Sequence, residues 1–130
     1  MRRWAKRLIQ ASWLALGLIH LLPAVALVQP GLVTRLYGVD AGDPLFVLLW
    51  HRAALFAGVL ACCVWAASRA EVRPLASALV ASSMISFLLI FAAQGMPASL
   101  RAIAVGDVVG LPFLAVVTWN AWRPGPPSRP

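Results

Sequence analysis

The feature that most restricts what this chain can become is the run from Pro44 to Ala67, 24 residues with one charged member, Arg52. As a helix it would be about 36 Å long at about 1.5 Å per residue, more than the roughly 30 Å hydrocarbon core of a bilayer. The run reads as a membrane-spanning helix. An arginine within such a helix costs about 2.5 to 3.5 kcal/mol at the bilayer centre on insertion scales. Arg52 therefore requires a polar cavity, a partner or an escape toward the interface.

The rest of the chain agrees with a membrane setting. A domain of 130 residues that is 62% hydrophobic and 12% charged carries more apolar surface than one small core could hide. The formal charge of +7 could suggest nucleic acid, but the basic residues stand at the ends of apolar runs rather than on an aromatic-studded patch. Nucleic acid is accordingly not an expected partner; the lipid bilayer is. Cys62 and Cys63 are adjacent in a helical run, where neighbouring side chains point about 100° apart. They suggest neither a disulfide framework nor a C-x-x-C centre.

Four apolar segments follow one another. A basic head, Met1 to Arg7, leads into Leu8 to Val28, a first span interrupted only by Gln10, Ser12, His20 and Pro23. The same stretch imitates a secretory signal, with Ala24-Val25-Ala26 as a small-residue cleavage site, but its retention as a span is the favoured reading. Pro30 to Gly38 reads as a short helix begun by the proline and stopped by the glycine, expected to rest on the membrane surface or roof the bundle. Asp43-Pro44 supplies an N-cap and a first-turn proline to the second span. The third is predicted from Pro74 to Ala93. After the breaker cluster Gln94-Gly95-Met96-Pro97, the fourth is predicted from Leu100 to Trp122. The expected architecture is all-α: a four-transmembrane-helix antiparallel bundle over residues 1–123, with a short interfacial helix after the first span. A disordered Pro-rich tail is expected over 124–130.

Lys and Arg in the short flanks set orientation. The N-terminus has four, the turn after the second span two and the tail two, against Arg35 and Arg101 in the other loops. Both termini are therefore expected in the cytoplasm. Trp4, Trp65, Trp119 and Trp122 fall at the same end, where indole rings favour the headgroup level.

Depth can then be read from spacing. Arg52 lies 17 residues before Arg69 and Asp107 16 residues before Arg123, so both stand about 25 Å from the cytoplasmic face at about 1.5 Å per residue. His51 adjoins Arg52, and His20, 13 residues after Arg7, lies about 20 Å up by the same rise. Arg52 and Asp107 are expected to pair between the second and fourth spans, with His51 or His20 adding hydrogen bonds, in a pocket open to the periplasm. Independent snorkelling of each side chain to the interface is the alternative. A polar clasp with no ligand is a third reading of the same residues.

Small residues suggest where helices meet. Ala54, Gly58, Cys62 and Ala66 recur every fourth position on the second span, Ala78, Ser82 and Ser86 on the third, and Gly106 with Gly110 forms G-x-x-x-G on the fourth. Gly58, Gly106 and Gly110 are the expected packing positions, within one copy of the chain rather than at a dimer seam. No H-E-x-x-H, P-loop, G-x-S-x-G or paired carboxylates occur, so neither a metal nor another cofactor is expected.

At Leu36-Tyr37-Gly38-Val39, at His51-Arg52-Ala53 running into Gly58, and at Arg101 with Gly106-Asp107-Val108-Val109-Gly110, the chain resembles small four-helix bacterial inner-membrane proteins of unassigned function. It is similar in this to the DoxX-like superfamily. The resemblance covers most of residues 8–122 and implies a multi-pass protein of the inner membrane. Some such proteins bear the label phosphopantetheine adenylyltransferase, but that enzyme needs a nucleotide-binding α/β fold and an H-x-G-H motif, and neither is here. DoxX-like proteins have been linked to respiratory or thiol-redox assemblies, for which the vicinal cysteines offer no evident centre. The leading expectation is non-enzymatic: binding of a small amphiphile or lipid, or service as an accessory subunit with a membrane-protein partner or as a homo-oligomer. The alternative is a membrane enzyme or proton-coupled carrier using His51 and Asp107 as an acid/base pair.

Overall fold

A computed structural model of the chain describes residues 3–123. Met1 and Arg2 of the basic head, and the tail expected over 124–130, lie outside the described residues. The described chain forms five α-helices, α1 (Arg3–Val25), α2 (Gly31–Tyr37), α3 (Pro44–Ser68), α4 (Arg73–Ala93) and α5 (Arg101–Trp122), with single 3-10 turns at Ala70–Val72 and Ala98–Leu100.

Each boundary has a local cause. The helix α1 begins earlier than predicted, because Arg and Lys are good helix formers and the turns of Arg3 to Arg7 simply extend the apolar run. It ends two residues after Pro23, where Leu27 N–H bonds Ala24 C=O and Val28 N–H bonds Val25 C=O, both at 3.0 Å, in place of the helical ladder. At the start of α3, Asp43 is extended and its carboxylate accepts from the Leu45 N–H at 2.8 Å, with Pro44 in the first turn. Gly38 ends α2 at φ 68°, a left-handed conformation that glycine adopts without a Cβ penalty, and its N–H reaches Thr34 C=O at 2.8 Å. Thr34 Oγ1 donates to Val39 C=O at 2.8 Å and fixes the exit of the chain.

The four long helices form an antiparallel bundle. The helix α1 lies between α3 and α5; α4 packs on α5 and only lightly on α3. Gly17 permits the close α1–α3 approach, since a Cβ there would stand 3.3 Å from Leu60 Cδ1 and 3.4 Å from Cys63 Cβ. Gly110 permits the approach of α5 to α4 and α1: a Cβ would overlap the Met84 methyl and come within 2.8 Å of Ile19 Cδ1. Between these contacts lies the main core, with Trp13, Leu16, Cys63, Val80, Met84 and Val117 fully buried. Met84, unbranched and adaptable, fills the space that Gly110 leaves.

Around the outside stand large apolar side chains such as Leu18, Leu48, Leu55, Leu89, Val105 and Val109. All four long helical segments, of 23 to 25 residues with mean hydropathy between 1.7 and 2.2, are long and apolar enough to cross a membrane. An even number of antiparallel spans brings the start of α1 and the end of α5 to one end of the bundle. Exposed Trp4, Trp65, Trp119 and Trp122 gather there. A polar clasp joins three helices at the same end: Arg73 Nε donates to Ala66 C=O at 2.9 Å, Arg73 Nη1 to Asn120 Oδ1 at 3.3 Å, and Trp122 Nε1 to Ser77 Oγ at 3.0 Å. Sequence reasoning assigned Arg73 only a topological charge; its bond to a C-terminal carbonyl of α3 also ties α3 to α4.

The opposite end is roofed by α2. Val33 is fully buried and joins Ala26, Phe46 and Ala53 in a second apolar cluster, flanked by Leu32, Tyr37, Val39 and Leu49. Trp50 Nε1 donates to Leu27 C=O at 3.0 Å and ties the start of α3 to the end of α1.

Candidate functional site

Beneath that roof lies a cavity of about 190 Å³, with walls from α1, α2, α3 and α5. Its polar groups are His20, Tyr37, Arg52 and Asp107, and the remaining wall is aliphatic or aromatic apart from Gly106. The level they share follows from register. His20 stands five residues before the end of α1, Arg52 eight after the start of α3 and Asp107 six after the start of α5. Each is thus about 8–12 Å from the roofed end at about 1.5 Å per residue, and the Tyr37 side chain enters from above on α2.

His20 is 2% exposed. Its Nδ1 lies 2.8 Å from Leu16 C=O, and because a carbonyl only accepts, Nδ1 is the donor. In the neutral ring that leaves Nε2 as an acceptor for the cavity. The imidazole leans on Phe56, centroids 5.8 Å apart. Phe56 also carries the guanidinium of Arg52 at 5.0 Å from its ring centroid, with Phe87 of α4 at 5.9 Å. Cation–π contacts of this kind are worth about 0.5 kcal/mol when exposed and about 2 kcal/mol when desolvated. They answer much of the cost of placing an arginine in a spanning helix.

This arrangement differs from the expected ion pair. Among the described residues, Arg69 with Glu71 is the one ion pair within 4.0 Å, and both of those side chains are exposed. Arg52 and Asp107 border the same cavity without closing to that distance, because the guanidinium is turned onto Phe56 and toward α4 while Asp107 projects from α5. Asp107 is 8% exposed.

His51 does not join them. It is exposed, and it belongs to an outward stripe with Ala54, Leu55 and Gly58, spaced as one helical face. One residue of helix turns a side chain by about 100°, so placing Arg52 inward places His51 outward. For the same reason Gly58 is not at a tight contact: a Cβ there would meet nothing within 4 Å. Gly106 likewise has open space around it, and borders the cavity rather than a neighbouring helix. The close approach that sequence reasoning missed is Gly17.

Tyr37 and Phe56 were also missed as site residues. Phe56 had a signal, since it stands four residues after Arg52 on one helix face. Tyr37 stood on the short helix and in the stretch Leu36-Tyr37-Gly38-Val39 that carries the resemblance, and neither placed its side chain in the cavity. Burial pushes the Tyr37 phenol above its ordinary value, and the nearby Arg52 charge opposes this only in part, so the hydroxyl is a neutral donor and acceptor at pH 7.

Among the described residues no group of three or more His, Cys, Asp or Glu side chains comes together to hold a metal ion. The arrangement offers one cation, one carboxyl group, one imidazole acceptor and one phenol in an otherwise apolar chamber. Set against known proteins, the chain matches no family model, no curated sequence and no solved structure. Fold and composition define it as a multi-pass helical membrane protein.

Proposed function

We propose that this protein binds a small amphiphile, seating its polar end among His20, Tyr37, Arg52 and Asp107. The observation that carries this reading is the state of Arg52. Its guanidinium rests on aromatic rings and has no carboxylate of the described residues within 4.0 Å, and Arg52 lines a cavity whose wall is apolar apart from His20, Tyr37 and Asp107. Sites of this composition, apolar walls with a few convergent polar groups, are the usual form of small-molecule pockets.

Volume limits the ligand. Pockets for drug-sized molecules run from about 300 to 1,000 Å³, whereas a cavity of about 150 Å³ takes a molecule the size of benzene. About 190 Å³ therefore suits a compact amphiphile or the polar end of a longer one, and is too small for a whole phospholipid. In the same reading the protein lies in a bacterial inner membrane with its basic, Trp-rich end cytoplasmic and the roofed end toward the periplasm, as the charge distribution and the DoxX-like resemblance both favour. The acid/base alternative loses its premise, since His51 is exposed outside the cavity that Asp107 borders.

Native mass spectrometry of the detergent-purified protein tests the proposal. A small adduct is expected on the unaltered chain and on His51→Leu, and is expected to be lost on Arg52→Leu. An adduct indifferent to Arg52 would refute it.

A further inference from the structure

Resting on that reading, we infer that the ligand's polar end is uncharged and carries both a hydrogen-bond donor and an acceptor, as a carboxamide does, and that its chain reaches the cavity from the bilayer between α1 and α5.

The first argument is charge. An arginine and an aspartate border one small apolar chamber without pairing. With both ionised their charges cancel, so a bound anion or cation would leave a net charge among apolar walls, and a neutral polar group would not.

Hydrogen bonding gives the second. Arg52 only donates; Asp107 as carboxylate and His20 Nε2, with Nδ1 committed to Leu16, only accept; Tyr37 does either. None of the Arg52, Asp107 or Tyr37 side chains makes a hydrogen bond to another described residue. Their polar atoms are not fully occluded either: the fully occluded side-chain atoms without a partner, among the described residues, are Trp13 Nε1 and Thr118 Oγ1, neither of them here. A carboxamide meets the set, with its C=O on Arg52 or Tyr37 and its N–H groups on Asp107 and His20.

Access is the third. Most residues bordering the cavity are buried or half-buried, but Leu22 on α1 is 52% exposed and Ala102 on α5 is exposed. The mouth therefore lies between α1 and α5, beside lipid-facing Leu18 and Val105. A chain leaving the cavity there enters hydrocarbon, which fits a chamber large enough for a head and a few carbons only.

The test compares octanamide, octanoate and octylammonium, each radiolabelled, for retention by lipid nanodiscs that carry the protein against empty ones. Saturable retention of octanamide at least about tenfold tighter than of either ion is expected. Loss of one charge-assisted hydrogen bond should weaken octanamide about tenfold or more in Arg52→Met. Asp107→Asn, nearly isosteric and leaving the site cationic, should move the preference to octanoate, a gain that misfolding could not produce. Ala102→Trp, a surface change at the mouth, should abolish retention. Preference of the unaltered protein for octanoate or octylammonium would overturn the neutral-head inference and leave amphiphile binding standing. Retention of none of the three would overturn both, and undiminished retention by Ala102→Trp would overturn the route between α1 and α5.

Discussion

Single residues decide the chemistry of this molecule by the direction in which a helix turns them. Arg52 faces inward onto Phe56 while His51, next to it, is exposed. Glycines divide in the same way. Gly110→Leu should destabilise the protein by about 1–3 kcal/mol, because its side chain must displace Met84 and Ile19. Gly58→Leu, with open space around it, should stay within about 0.5 kcal/mol. Reversible unfolding in mixed micelles would compare them, and equal effects would show that α5 does not pack as described. Tyr37 gives a pH dependence. Its folded value is raised above the ordinary 10.0, so the unfolded chain loses the phenolic proton first. Stability should be complete below about pH 10 and fall above it, by at most about 1.4 kcal/mol per pH unit, until the folded phenol also ionises. Tyr37→Phe should remove that part of the alkaline decline; an unchanged decline would mean that the phenol is not buried.

Among the elements, the connections show most clearly how sequence sets structure. Asp43-Pro44, Pro30 and Gly38 were legible as start and stop signals because capping and left-handed termination depend on a few adjacent atoms. Asp43→Ala should cost about 1 kcal/mol, measured by the same unfolding titration, and Asp43→Asn, which keeps the acceptor, should recover most of it. The small-residue rows were less informative. Recurrence every fourth position identifies a face, yet the row on α3 divides: Ala54 and Gly58 are exposed, Cys62 and Ala66 turn into the core, and it is Gly17 that makes the tight α1–α3 contact. A row of small residues permits close packing without naming a partner.

For the whole molecule, four long apolar helices and one short roof are enough to hold a polar chamber at one end and a Trp-rich, basic end at the other. The charge count predicts cytoplasmic termini: a fluorescent reporter fused at the C-terminus should light up and a phosphatase reporter there should stay inactive, with the reverse result inverting the topology. Hydropathy, caps and charge asymmetry by themselves determined the number of spans, most of their limits and the common level of His20, Arg52 and Asp107, because these depend on composition and on a fixed rise per residue. Only the tertiary structure decided that Arg52 turns to Phe56 and Phe87 instead of Asp107, that Tyr37 completes the chamber and that His51 stays outside. Those outcomes depend on how each helix is rotated about its axis, and rotation is set by contacts between residues far apart in the chain.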